Sequence, residues 1–126
     1  MEYCKPTPSP FQYGVKLSAS CTSPEVDATL YRKLVGSILY LTHSHPDLSF
    51  AIGRVSRYMQ APHESHWKVE KRILRYIQGT VQFGIHYSTR GKPLLVGFTD
   101  LDWAGDLDDR NYAAGYVFSL GFGPVT

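Results

Sequence analysis

The apolar residues of this chain change period at Gly79, and that change limits the fold more than any other feature. Up to Gly79 they return every three to four positions, as a helix buried on one side requires, and after it they alternate, as strands do. Helices followed by strands, without interleaving, point to an α+β fold with an antiparallel rather than a parallel sheet. Three stretches follow: an extended leader over 1–26, a three-helix bundle over 27–80, and short antiparallel strands over 81–126.

The leader holds prolines at 6, 8, 10 and 24 and the polar run SASCTSPE, with no periodicity of either kind. Asp27 suits the N-cap of a first helix whose apolar positions are Leu30, Leu34, Ile38 and Leu41, ending near His43. Gly36 within it hints at a close contact with another helix. Pro46 fits a first helical position and Asp47 the positive end of the helix dipole, so a second helix is expected over 46–60 with Leu48, Ile52, Val55 and Met59 inward. Pro62 opens a third, with Glu64 in its first turn and Val69, Ile73, Tyr76 and Ile77 inward, and Gly79 supplies its stop. Strands are expected at 81–88, 94–100 and 114–121, the first two joined by a turn containing Arg90-Gly91-Lys92-Pro93.

With 126 residues and 43% hydrophobic content the chain can bury a core without disulfides, so Cys4 and Cys21 are free to pair or to stay thiols. The N-terminus lacks the layout of a secretory signal, and no window nears the ~20 apolar residues of a membrane span. A soluble intracellular protein, cytoplasmic or nuclear, is the expectation. The net charge of +2 conceals an uneven distribution. Residues 28–93 carry ten Lys and Arg against three Asp and Glu, whereas residues 94–126 sum to −4.

On a helical wheel at about 100° per residue, Lys68, Lys71, Arg72 and Arg75 share one arc opposite Val69, Ile73 and Ile77, with Trp67 and Tyr76 at its margins. A cationic strip edged by aromatics suits phosphates, the rings being free to stack on bases or sugars, and Arg54 and Arg57 of the second helix extend it. A plain solvated helix face with Trp67 as a core anchor is the competing reading.

The acidic run GFTDLDWAGDLDD places five carboxylates within residues 100–109. As a calcium loop it lacks ligands, since Ala104 and Asn111 occupy ligand positions. As a two-metal nuclease site it is incomplete: Asp100 and Asp102 share one strand face, but residues 111–126 hold no Asp, Glu or His. Zinc could use the pairs His43/His45 and His63/His66, but no H-E-x-x-H or C-x-x-C accompanies them and cap or surface histidines are commoner; no G-x-S-x-G or P-loop is present.

Residues 30–80, LYRKLVGSILYLTHSHPDLSFAIGRVSRYMQAPHESHWKVEKRILRYIQGT, followed by GFTDLDWAGDLDDRNYAAGYVFSLG at 97–121, resemble the Pol polyprotein of copia-type LTR retrotransposons, where the reverse transcriptase runs into ribonuclease H. The resemblance extends into the leader YCKPTPSPFQYGVKL. It implies that the helices are similar to the polymerase thumb and connection, which grip a template-primer duplex. Asp100 then matches the first acidic ligand of a magnesium-dependent ribonuclease H, while Asp102, Trp103 and Gly105 belong to the same motif but are not thereby metal ligands. The later catalytic acids would fall beyond Thr126 and the polymerase Tyr-x-Asp-Asp before Met1. Where a Lys-Ser-Thr-like run usually precedes Gly-Tyr, this chain has Asn111-Tyr112-Ala113-Ala114.

These readings make the chain a catalytically incomplete fragment that needs no cofactor of its own and binds duplex or hybrid nucleic acid without sequence preference. One alternative is a protein-interaction module in which exposed strand edges, with Tyr116, Phe118 and Phe122, recruit a partner or a second copy; a monodisperse monomer by light scattering counts against it. The other is an enzyme completed by a second chain, with Asp100 lending one ligand.

Overall fold

Asp27 starts the first helix as its chemistry demands: in a computed structural model describing residues 4–85, 94–102, 113–121 and 123–125, its Oδ1 accepts the amides of Thr29 at 2.8 Å and Leu30 at 3.2 Å. The helix, α1, runs Ala28–Leu41, and its buried residues are Tyr31, Val35 and Ile38. The expected stripe is therefore turned by one position at its start, with Leu30 left 51% exposed. The reason is the phenol. Tyr31 goes fully inside because its hydroxyl donates to the Val55 carbonyl at 2.9 Å, so the ring is buried without stranding a polar group. Gly36 touches nothing beyond its own helix, and the close contact expected there is not made.

The second helical segment is not continuous over 46–60. Pro46–Leu48 forms a 3-10 turn, and α2 spans only Ser49–Ser56. Its inward residues are Ala51, Ile52 and Val55, with Leu48 buried just before them. The chain leaves the helix early and brings Tyr58 under His66, where the two rings stack at 4.0 Å and 9°. The third helix, α3, spans Glu64–Thr80 and buries Val69 and Ile73, while Tyr76 and Ile77 are half-buried. Gly79 does not stop it. A side-chain carbon at that position would lie 2.8 Å from Pro6 Cβ, so the glycine serves close approach of the leader.

The leader is thus a strap rather than a loose tail. Leu17 is 2% exposed within the same core as Tyr31, Leu48, Ile52, Val55 and Ile73, and Phe11, Val15 and Val26 pack against that core. Backbone bonds from Val26 N to Pro62 O at 2.9 Å and from Glu64 N to Pro24 O at 2.8 Å tie its end to the start of α3. Cys4 and Cys21 are free and half-buried.

Beyond α3, Val81–Ile85 form a turn and irregular chain rather than the start of a strand, and the rest of the strand expected at 81–88 lies outside the described residues, as does the Arg90–Pro93 turn. The sheet comprises β1, Leu95–Asp102, β2, Ala113–Leu120, and the short β3, Gly123–Pro124, in the antiparallel order β1-β2-β3. The fold is α+β, with three α-helices and three antiparallel strands among the described residues. Leu95 pairs with Leu120 and Thr99 with Tyr116, which puts Leu95, Tyr116, Phe118 and Leu120 on one face and Val96, Phe98 and Val117 on the other. All seven are exposed, and the core cluster draws no described residue from the sheet.

Candidate nucleic-acid interface

Helix α3 sorts its side chains by face because His66, Glu70, Ile73 and Ile77 recur at helical spacing on the inward side, which sends Lys68, Lys71, Arg72 and Arg75 outward. Lys71, Arg72 and Arg75 are half-buried and Lys68 is exposed. They line a groove of about 690 Å³ between α3 and the strap, whose wall on the other side includes Gln12, Val15, Lys16 and Leu17. No carboxylate among the described residues lines it.

The cations differ in what holds them. Arg72 is braced by the strap, its Nε donating to the Ser9 carbonyl at 3.2 Å and its Nη2 to Ser9 Oγ at 3.0 Å. Lys68 sits 3.3 Å from Glu64 Oε1 one turn back, an exposed pair worth little. Lys71, Arg75 and Lys16 form no ion pair among the described residues. A groove with one sign of charge and partly apolar walls concentrates field lines and favours an anion.

Of the other residues expected at the interface, Trp67 lies outside the groove. It packs on the core, its ring 6.2 Å from that of Tyr31, and so acts as an anchor rather than a stacking platform. Tyr76 is engaged as well: its hydroxyl donates to Asp47 Oδ2 at 2.6 Å. That bond, then burial and the charge of Asp47, push its phenol up to about 12. Arg54 and Arg57 belong to α2 and the residue after it, and neither lines the groove. Lys16 was missed from sequence. Its signal is the alternation Val15-Lys16-Leu17, two apolar residues flanking a lysine in an extended segment.

His63 and His66 serve the architecture. His66 is fully buried, its Nδ1 accepting the His63 amide at 2.9 Å and its Nε2 standing 3.1 Å from the Ser18 carbonyl. This pattern needs the neutral ring with its proton on Nε2. His63 Nδ1 meets the Ser23 carbonyl at 2.6 Å, so both rings hold the strap to the start of α3. Among the described residues no three His, Cys, Asp or Glu side chains gather where a metal could bind.

Asp100 lies on β1 opposite Gly115, with two strand residues beyond it. Trp103, Gly105, the rest of the acidic run to Asp109, Asn111, Tyr112 and Phe122 fall outside the described residues. No helix among the described residues is long and apolar enough to cross a membrane.

Comparison with known proteins places the chain by descent. It is 40% identical over 122 residues to the retrovirus-related Pol polyprotein from transposon RE2 of Arabidopsis thaliana, covering 97% of this chain and 8% of that protein. It is 34% identical over 133 residues to the corresponding polyprotein from transposon TNT 1-94 of Nicotiana tabacum, covering 100% of this chain and 10% of that one. A protein named secreted RxLR effector protein 161, from Plasmopara viticola, is 41% identical over 97 residues, covering 76% of this chain and 68% of the relative. No protein-family model matches, and no solved structure matches. The chain spans only a small part of the polyproteins it matches. Along nearly its whole length the chain is thus homologous to one segment of several retrovirus-related Pol polyproteins from transposons.

Proposed function

We propose that these 126 residues are a catalytically incomplete part of a retrotransposon reverse transcriptase and ribonuclease H that keeps a non-specific affinity for nucleic acid through α3. On this reading the helices correspond to the thumb and connection, and β1 and β2 to the opening strands of ribonuclease H. The observation that carries it is the groove, which Lys68, Lys71, Arg72 and Arg75 all line with no carboxylate in its walls among the described residues. Magnesium chemistry on nucleic acid needs ligands from several elements around a pair of ions. Asp100 supplies one, and the sequence from Asn111 to Thr126 offers no other acidic or histidine donor. On this reading no cleavage step is assigned to these residues.

Binding should follow counterion release. With four phosphate contacts, affinity for duplex or hybrid falls roughly a hundredfold between 50 and 200 mM salt. Replacing Lys68, Lys71, Arg72 and Arg75 together by Glu removes the binding, read by fluorescence anisotropy of a labelled hybrid. Affinity independent of salt would reject a phosphate-driven mode.

A further inference from the structure

We propose that the strap supplies the second wall of a phosphodiester seat, with Lys16 opposing Lys71 and Arg75 across the groove. The inference rests on the reading of α3 as a nucleic-acid surface and deepens it by adding a contact from a distant part of the chain.

Lys16 is exposed, but its backbone is held in place. Val15 on one side packs against the core, and Leu17 on the other is 2% exposed within it, so the backbone of Lys16 is pinned at both neighbours. Alternation along the extended segment then turns its side chain away from the core, and it is one of the residues lining the groove. The turn that sets this up is local: Val15 N donates to the Gln12 carbonyl at 3.3 Å, and Gly14 takes a φ of 78°, the left-handed conformation that favours glycine. The Ser9–Arg72 bonds fasten the same strap further along α3.

Five cations therefore border one groove, and only Lys68 has a carboxylate partner among the described residues. Like charges bordering one space repel, and no carboxylate among the described lining residues offsets them. An anion entering between the walls relieves that repulsion. Val15, Leu17 and Val69 form apolar parts of the same lining, which strengthens a charge contact made there by excluding water. A run of phosphates, each bearing one charge, meets cations on two walls better than a compact single anion does. The ligand class is accordingly the sugar-phosphate backbone of a nucleic acid.

The test measures the salt dependence of binding to a fluorescein-labelled RNA–DNA hybrid for the full chain and three single variants, Lys16→Gln, Lys71→Gln and Lys33→Gln. Lys33 is an exposed residue of α1 that does not line the groove. Removing one phosphate contact lowers the slope of log K against log salt by about 0.9 and weakens binding roughly eightfold at 0.1 M salt. Lys16→Gln and Lys71→Gln are each expected to show that change, and Lys33→Gln none. An unchanged slope for Lys16→Gln with a reduced slope for Lys71→Gln overturns the two-walled seat and leaves the α3 reading standing. Unchanged slopes for both overturn that reading as well.

Discussion

Replacing Tyr31 by alanine is expected to cost about 3–5 kcal/mol of stability, whereas the same change at the preceding Leu30 costs under about 1 kcal/mol. Tyr31 is fully buried, its hydroxyl is bonded to Val55, and its ring meets Trp67 of α3, so its removal opens a cavity where α1, α2 and α3 come together. Leu30 is half in solvent and loses little. Domains of this size are stable by about 5–15 kcal/mol, so the first substitution removes a large share of the margin. Urea denaturation of both variants measures the difference. A larger loss at Leu30 than at Tyr31 would reinstate the stripe of Leu30, Leu34, Ile38 and Leu41 read from periodicity.

Stability should also fall as pH rises through neutrality, because of Glu70. This carboxyl is fully buried on the inward side of α3, and neither oxygen has a hydrogen-bond partner among the described residues. Burial raises it from the ordinary 4.5 to about 8. It also lies near Tyr31, whose phenol is pushed up first by burial and then by Glu70 and Tyr58. The folded chain therefore keeps a proton that the unfolded chain gives up above 4.5. Between those values the native state binds more protons, so its stability is full below 4.5, declines as pH rises, and levels off above about 8. The slope in that window approaches ~1.4 kcal/mol per pH unit and the total loss is on the order of a few kcal/mol. Glu70→Gln mimics the protonated form. It is expected to erase the decline, matching the parent at pH 4 and exceeding it by a few kcal/mol at pH 9 in denaturant titrations. Parallel pH profiles for parent and variant would refute this assignment.

How far the sequence disclosed these features depends on how local their causes are. The Asp27 cap is legible because a carboxylate and two nearby amides suffice to make it. The inward Ile52, Val55, Val69 and Ile73 are legible because aliphatic residues at helical spacing have one sensible place to go. Tyr31 was hidden because a phenol goes inside only when a distant carbonyl receives it, and that carbonyl belongs to Val55. Gly79 looked like a stop because the approach of Pro6, far off in the chain, cannot be read from local pattern. The same long-range docking of the strap concealed Lys16, while its partners on α3 were plain from the wheel. Glu70 carried a usable signal: an acid spaced three before Ile73 and four after His66 sits on the inward face, and a charge there is exceptional. Trp67 was legible only as an alternative, since an aromatic at the edge of a stripe can serve either core or ligand until its neighbours are known.

The proposed function separates holding nucleic acid from cutting it. Its most direct test is one incubation of the full chain with an end-labelled RNA–DNA hybrid in magnesium, scoring bound and cleaved strands from the same sample. The expected result is salt-sensitive retention of an intact hybrid, the same for the parent and for Asp100→Asn. Magnesium-dependent cleavage by the parent that disappears in Asp100→Asn would contradict it.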